Sequence, residues 1–137
     1  MSNYRILVVD DEPGLRRTLE RALRSHNYEV VSVGDPNSAY EVLAESSFDL
    51  VLLDLRLPQM DGDTFFLAIV RRWPRLLGRV ILMSGDPLPP QPDWPVELAG
   101  CPVLHKPFSL DTLLNTVGQV LSGLEPNSNI REGNGKP

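Results

Sequence analysis

The sequence predicts an α/β protein in which helices cover both faces of a doubly wound parallel sheet. Short continuous apolar runs, typical of strands buried on both faces, alternate with longer segments whose apolar residues recur at helical spacing. Strands and helices that alternate in this way are joined by right-handed crossovers, which makes the strands parallel. The length of 137 residues fits one such domain.

Five apolar runs are predicted to form the strands of this sheet. The clearest of them extends from Leu50 to Leu53 and ends directly on Asp54. The others are similarly short, and four of the five are followed at once by a polar residue that could carry chemistry. The predicted strands cover residues 5–9, 28–33, 50–53, 79–83 and 103–105.

Proline and capping residues mark the ends of the predicted helices. Pro13 stands near the start of the first helix, and Asp35 with Pro36 forms a good N-cap and first helical position for the second. Pro74 stops the third helix, because proline lacks the amide hydrogen that a helix needs. Ser109 is predicted to cap the last helix.

One segment breaks the alternation of strands and helices. Residues 86–95 carry five prolines in the place where the fourth crossover helix is expected. Each proline inside a helix destabilises it by about 3 kcal/mol. The fourth helix is therefore predicted to be shortened or replaced by a Pro-rich loop, with at most a turn or two from Val96 to Ala99.

The composition limits the classes of function. A net charge of −5 argues against a protein that mainly binds nucleic acid, because a phosphate-binding face needs an excess of lysine and arginine. The single cysteine, Cys101, excludes an internal disulfide framework and a cysteine-rich zinc site. Without a signal-peptide pattern, or an apolar run near the roughly 20 residues that cross a bilayer, the expected setting is the cytoplasm.

The last residues of the chain differ in character from the rest. Residues 122–137 are rich in glycine, asparagine and proline and lack any hydrophobic periodicity. Such a segment buries too little apolar surface to offset the entropy of ordering it. We therefore predict a single domain over residues 1–121, followed by a disordered tail over residues 122–137.

Polar side chains are found where the predicted strands end. Asp10 and Asp11 follow the first strand, and Asp54 follows the third. Ser84 follows the fourth strand, and Lys106 follows the fifth. Because parallel strands end at one shared edge of a sheet, where ligand sites form, these five side chains are expected to lie close together.

This set of residues predicts a site for phosphoryl transfer. Three clustered carboxylates repel one another unless a cation lies among them, and oxygen ligands without histidine or cysteine favour the hard cation Mg²⁺. A lysine and a serine at the same edge supply an ammonium and a hydroxyl for an anion. Metal and lysine would neutralise phosphoryl oxygens, and a carboxylate would act as the nucleophile.

The stretches LVVDDE, VLLDLRLPQMDG, VILMSG and HKPF identify a family. From about Tyr4 to Leu121 the chain resembles the response-regulator receiver domains of bacterial two-component signalling. The resemblance implies a flavodoxin-like five-stranded parallel sheet in the order 2-1-3-4-5. It implies a phosphorelay function without an enzymatic activity beyond the domain's own aspartyl phosphorylation and dephosphorylation.

The resemblance also assigns a role to each residue of the acidic cluster. Asp54 is expected to be the phosphoacceptor, charged by a histidine kinase or a histidine phosphotransfer protein. Asp11 and Asp54 would bind Mg²⁺ directly, with the backbone carbonyl of Arg56 as the third protein ligand. Asp10 would act mainly through a metal-bound water.

The remaining roles concern the switch that follows phosphorylation. Lys106 is expected to pair with Asp54 and then with the phosphoryl group, and Ser84 to hydrogen-bond a phosphoryl oxygen. The bond between Lys106 and Pro107 is expected to be cis, as in most relatives. The chain is expected to be a monomer or weak dimer that passes its signal to another protein, without direct contact to nucleic acid or membrane.

Two departures from the family pattern fall on the surface that usually carries the output. Relatives place an aromatic residue three positions before the lysine, where this chain has Val103. The proline-rich segment also removes much of the fourth helix. This combination resembles receivers appended to hybrid histidine kinases, so we expect intact chemistry at Asp54 and an altered readout, or relay of the phosphoryl group.

Three other functions are compatible with the predicted architecture. The second-ranked is a protein-interaction module that works without phosphorylation; however, such receivers usually lose the acceptor or the lysine, and both are present here. A flavodoxin-like electron carrier would need a phosphate-binding loop where Asp10, Asp11 and Glu12 would repel a flavin phosphate. A phosphatase for other substrates would need a second nucleophile, which the sequence does not suggest.

Overall fold

The computed structural model describes residues 4–57, 62–85 and 96–124, and in this part strands and helices alternate as predicted. A short 3₁₀ helix follows the third α-helix. The strands are β1 Arg5–Val9, β2 Glu29–Val33, β3 Leu50–Asp54, β4 Val80–Ser84 and β5 Val103–His105. The helices are α1 Pro13–Arg24, α2 Pro36–Glu45, α3 Gly62–Arg72, the 3₁₀ helix Pro74–Leu76, α4 Val96–Ala99 and α5 Leu110–Leu124.

The five strands form one parallel sheet in the order β2-β1-β3-β4-β5, which confirms the predicted order. All residues of β3 and β4 are buried. Because both faces of these strands pack against helices, the sequence shows continuous apolar runs rather than alternation of apolar and polar residues.

Each face of the sheet has its own hydrophobic core. On one face, Leu7 and Val9 of β1 pack with side chains of α2 and α3. On the other face, Ile6 and Val8 of the same strand pack with side chains of α1 and α5. Successive strand residues point to opposite faces, so β1 contributes two residues to each core.

The predicted helix ends are largely confirmed. The Asp35 side chain accepts a hydrogen bond from the Ser38 amide at 2.8 Å, and the Ser109 hydroxyl accepts one from the Thr112 amide at 3.0 Å. The third helix ends at Arg72, immediately before Trp73 and Pro74.

The fourth helix is short, as predicted from the prolines. It has four residues, Val96–Ala99, while residues 86–95 lie outside the described part of the chain. The last helix extends to Leu124, so residues 122–124, which we assigned to a tail, form its last turn. A helix can continue past its last buried residue because its own main-chain hydrogen bonds support that turn. The rest of the predicted tail lies outside the described residues.

Candidate acidic site at the carboxyl edge of the sheet

Four predicted site residues meet at the carboxyl edge of the sheet. Asp10 follows β1, Asp54 and Ser84 are the last residues of β3 and β4, and Lys106 follows β5. The Lys106 amide donates a hydrogen bond of 2.7 Å to the Ser84 carbonyl, which extends the pairing of β4 and β5 to the site. The sheet therefore brings together side chains from positions almost 100 residues apart in the sequence.

The ammonium group of Lys106 lies between two buried carboxylates. Its Nζ is 2.8 Å from Oδ2 of Asp10 and 3.2 Å from Oδ2 of Asp54. Asp10 is fully buried and Asp54 is 4% exposed, whereas about a fifth of the lysine side chain remains accessible. Lys106 thus compensates part of the negative charge and can still be reached from solvent.

Main-chain contacts fix the position of Asp10. Its Oδ1 accepts a hydrogen bond of 2.9 Å from the Glu12 amide, and its own amide donates to the Val33 carbonyl at 3.1 Å. Its carbonyl accepts a hydrogen bond of 2.6 Å from Nη1 of Arg16. The turn between β1 and α1 is therefore held both at the Asp10 side chain and at its main chain.

Asp54 is held in an environment that opposes its ionisation. Burial raises the pKa of its carboxyl, and the negative charge of Asp10 raises it further. The Arg56 amide, which donates to Oδ1 at 3.0 Å, and Lys106 both lower that pKa, but they do not fully offset the burial. Added positive charge near Asp54 would favour its ionised form.

For Lys106, the contacts with neighbouring charges outweigh the effect of burial on the pKa. Burial alone would lower its pKa, but the hydrogen bond to Asp10 and the charges of Asp54 and Asp10 raise the pKa above its usual value. The lysine therefore carries a full positive charge at neutral pH. Because the ammonium contacts both Asp10 and Asp54, it could exchange one of these contacts for a contact with a more highly charged anion and keep the other.

The three acidic residues could together hold a metal ion. Asp10, Asp11 and Asp54 each offer a carboxylate oxygen, and these oxygens lie within 4.8 Å of one another. Two of the three residues are buried and Asp11 is exposed, which leaves the cluster open on one side. With Lys106 as the partner cation, three negative charges face one positive charge, and the surplus suits a divalent cation with oxygen ligands.

The other predicted site residues also lie at this edge. Ser84 is 3% exposed, and Arg56 is exposed two residues after Asp54. The bond between Lys106 and Pro107 is cis, which confirms the prediction. Arg16 also supports the site, because it donates a hydrogen bond to the Asp10 carbonyl. The sequence did not indicate this role, since a main-chain carbonyl occurs at every position and gives no pattern of residue types.

The described part of the chain contains no helix that is both long and apolar enough to cross a bilayer.

Asp11 forms the exposed end of the acidic cluster, and the next residue in the chain, Glu12, is also exposed. A negatively charged opening of this kind repels an anionic group, and a bound cation would reduce that repulsion.

The chain is similar to known signalling proteins. A family model described as response regulator receiver domain matches residues 6–118. The response regulator receiver protein CpdR of Brucella abortus is 34% identical over 120 residues, which are 85% of this chain and 96% of that protein. The response regulator protein FleR of Pseudomonas aeruginosa is 32% identical over 124 residues, which are 90% of this chain but only 26% of that longer protein.

A solved structure shows the same architecture. The chemotaxis protein CheY4 of Vibrio cholerae superposes with a TM-score of 0.76 and 26% sequence identity. The alignment covers 88% of this chain and 100% of that one. The chain is therefore similar to that structure in both its sequence and its fold.

Proposed function

The chain belongs to the response regulator receiver domain family of two-component systems, and we propose that it accepts a phosphoryl group on Asp54. The donor would be a histidine kinase or a histidine phosphotransfer protein, the partners with which receiver domains interact. The observation that carries the proposal is the buried Asp54 carboxylate, which shares the accessible ammonium of Lys106 with Asp10.

The transfer step needs an ionised carboxylate and a cation for the incoming oxygens. An oxygen of Asp54 forms a bond to phosphorus while the bond from phosphorus to the imidazole nitrogen of a phosphohistidine breaks, and the nitrogen keeps the electron pair. Lys106 then exchanges its contact with Asp54 for one with a phosphoryl oxygen. Because this ammonium already lies 3.2 Å from the acceptor, the exchange needs little movement.

We propose that the acidic cluster holds Mg²⁺ during this step. Asp11, Asp54 and the backbone carbonyl of Arg56 would bind the ion directly, and Asp10 would act mainly through a bound water. When bound, magnesium neutralises charge on the phosphoryl oxygens. The surplus of negative charge in the cluster and its oxygen-only ligands support this assignment.

Ser84 is proposed to report the phosphorylated state. Its hydroxyl is buried at the same edge, and its carbonyl accepts the hydrogen bond from the Lys106 amide. Movement of either residue toward the phosphoryl group would therefore shift the ends of β4 and β5. Val103 lies half-buried in β5 where relatives have an aromatic residue, so the signal would leave through a different surface or the phosphoryl group would be relayed.

A phosphotransfer assay tests the assignment of the acceptor. A panel of histidine kinases is incubated with the wild-type protein, Asp54→Ala and the control Asp111→Ala, whose exposed side chain lies at the start of α5. We expect hydroxylamine-sensitive labelling of wild type and control, and none of Asp54→Ala. Equal labelling of all three proteins would refute Asp54 as the acceptor.

The main alternative is a receiver fold that binds a partner without phosphorylation. Such a module would not need a charged lysine between two buried carboxylates, nor an acidic cluster open to a cation. It would bind its partner equally well with Asp54 replaced by alanine.

A further inference from the structure

A groove at the amino edge of the sheet, opposite the phosphoryl site, has features of a binding surface. It lies between the C-terminal ends of α2 and α3 and has a volume of about 290 Å³. Its apolar lining is provided mainly by Leu43, Phe48, Trp73 and Leu76. Trp73 is only half-buried, so part of an aromatic ring is available to a ligand.

The lining of the groove carries one acidic residue, Glu45, and one basic residue, Arg75, and more arginines lie close to Arg75 in the sequence. Four arginines, Arg71, Arg72, Arg75 and Arg79, fall within nine residues of sequence. In the described part of the chain, Asp49 is the only carboxylate that forms an ion pair with any of them. This concentration is notable in a protein whose net charge is −5.

Asp49 compensates these arginines poorly. Its Oδ1 lies 3.9 Å from Nη2 of Arg75 and 3.9 Å from Nη1 of Arg79, and both distances exceed a hydrogen bond. Its Oδ2 accepts a hydrogen bond of 2.8 Å from the Arg5 amide. Burial is the main cause that lowers the pKa of Arg79; the neighbouring Arg75 lowers that pKa further, whereas Asp49 raises it.

The arginines nearest the groove are exposed. The guanidinium of Arg72 lies 5.0 Å from the centre of the Trp73 ring, and the Arg75 side chain is 51% exposed and lines the groove itself. Arg71 and Arg72 lie in the last turn of α3, where they complement the helix dipole. That explanation does not apply to Arg75, which follows the end of the helix.

We propose that this surface, the Arg–Trp groove, binds an acidic segment of another protein. One apolar side chain of the segment would occupy the groove against Trp73, and flanking carboxylates would pair with Arg72 and Arg75. The volume is at the lower limit of small-molecule pockets, about 300–1,000 Å³, but is enough for one side chain. The overall negative charge disfavours a nucleic-acid backbone as the occupant.

The proposal goes beyond the phosphoacceptor function and does not depend on it. The groove adjoins the residues that precede β3 and β4, whereas the acidic cluster lies where the strands end. Loss of binding in the groove should therefore leave phosphorylation of Asp54 unchanged. The two proposals can fail separately.

Fluorescence anisotropy with designed peptides tests the occupant. The probe is a labelled peptide of alternating aspartate and glutamate with one central phenylalanine, titrated with the 137-residue protein at low and physiological salt. We expect saturable binding that weakens with salt. Replacing the phenylalanine by serine should weaken binding at least about tenfold. The double change Arg72→Ser with Arg75→Ser should weaken it about tenfold.

A charge-matched variant separates local from overall electrostatics. Arg17→Ser with Arg21→Ser removes two exposed arginines from α1 and gives the same net charge, so we expect binding close to wild type. Circular dichroism checks that both variants are folded. Equal weakening in both variants, equal binding of the serine peptide, tighter binding of a lysine peptide or an oligothymidylate, or no saturation up to about 1 mM would each overturn the proposal.

Discussion

Lys106 contacts two buried carboxylates, and the proposed phosphoryl transfer depends on these three side chains. Asp54 is the residue whose state matters most, because burial and Asp10 act against its ionisation while Lys106 supports it. A carboxylate that is destabilised in the free protein gains more from a bound cation than an exposed one would. The electrostatics of this residue would therefore link folding stability to the proposed metal binding.

Replacing Asp54 by its neutral isostere should stabilise the metal-free protein. The folded-state pKa of Asp54 is raised above 3.8, so the fold loses stability as the pH rises through the interval between the unfolded and folded pKa values. In buffer with EDTA at neutral pH, we expect Asp54→Asn to increase the free energy of unfolding by about 1 kcal/mol. The gain should vanish as the pH falls below the unfolded pKa, and urea titration measures it.

Magnesium should reverse the order of stability. It should raise the urea midpoint of the wild-type protein, because it binds only the folded acidic cluster, and should have a much smaller effect on Asp54→Asn. A wild-type protein that is unchanged by magnesium would contradict the proposed metal ligands.

Arg16 is predicted to position Asp10 through the main chain. Its guanidinium donates to the Asp10 carbonyl. The guanidinium packs closely against Gly34, where an added Cβ would lie only 2.8 Å from Nη1. We expect Arg16→Gln to weaken Mg²⁺ binding several-fold and to lower the free energy of unfolding by about 1 kcal/mol. The neighbouring exposed arginine provides the control, since Arg17→Gln should change neither quantity. Calorimetric titration with Mg²⁺ would detect the difference.

At the scale of elements, the junction between β3 and α3 sets the position of the acceptor strand. The Gly62 amide donates to the Leu55 carbonyl at 3.0 Å, immediately after the strand that ends in Asp54. A Cβ at Gly62 would lie 2.4 Å from the Leu55 Cα, a contact with a backbone atom that no side-chain rotation relieves. The start of α3 therefore depends on a glycine for close approach.

This contact predicts opposite effects for two glycine substitutions. Gly62→Ala should lower the free energy of unfolding by about 1–3 kcal/mol because the backbone must move apart. Gly118→Ala, in α5, meets nothing within 4 Å and should raise it by up to about 1 kcal/mol through helix propensity. Thermal unfolding of the two variants is the measurement, and a stabilised Gly62→Ala protein would contradict the account.

At the scale of the whole molecule, the two edges of the sheet have different chemistry. The carboxyl edge carries the acidic cluster, and the amino edge carries the Arg–Trp groove. The acidic cluster could be predicted from the sequence because buried parallel strands are recognisable as apolar runs and end at a common edge of the sheet. Asp54 and Lys106 each follow such a run, so their proximity was expected from the sequence alone. The sequence could not predict the Arg–Trp groove, which depends on how α2 and α3 pack, nor a contact from Arg16 to a carbonyl.

Binding of beryllofluoride, a phosphoryl analogue, tests the central claim most directly. Fluorine NMR of the 137-residue protein should show a bound signal that requires Mg²⁺, is absent from Asp54→Ala and is weakened by Lys106→Ala. That result would place an acyl-phosphate-like group on Asp54 beside the lysine. A bound signal that persists in Asp54→Ala, or none in wild type with Mg²⁺ present, would contradict the account.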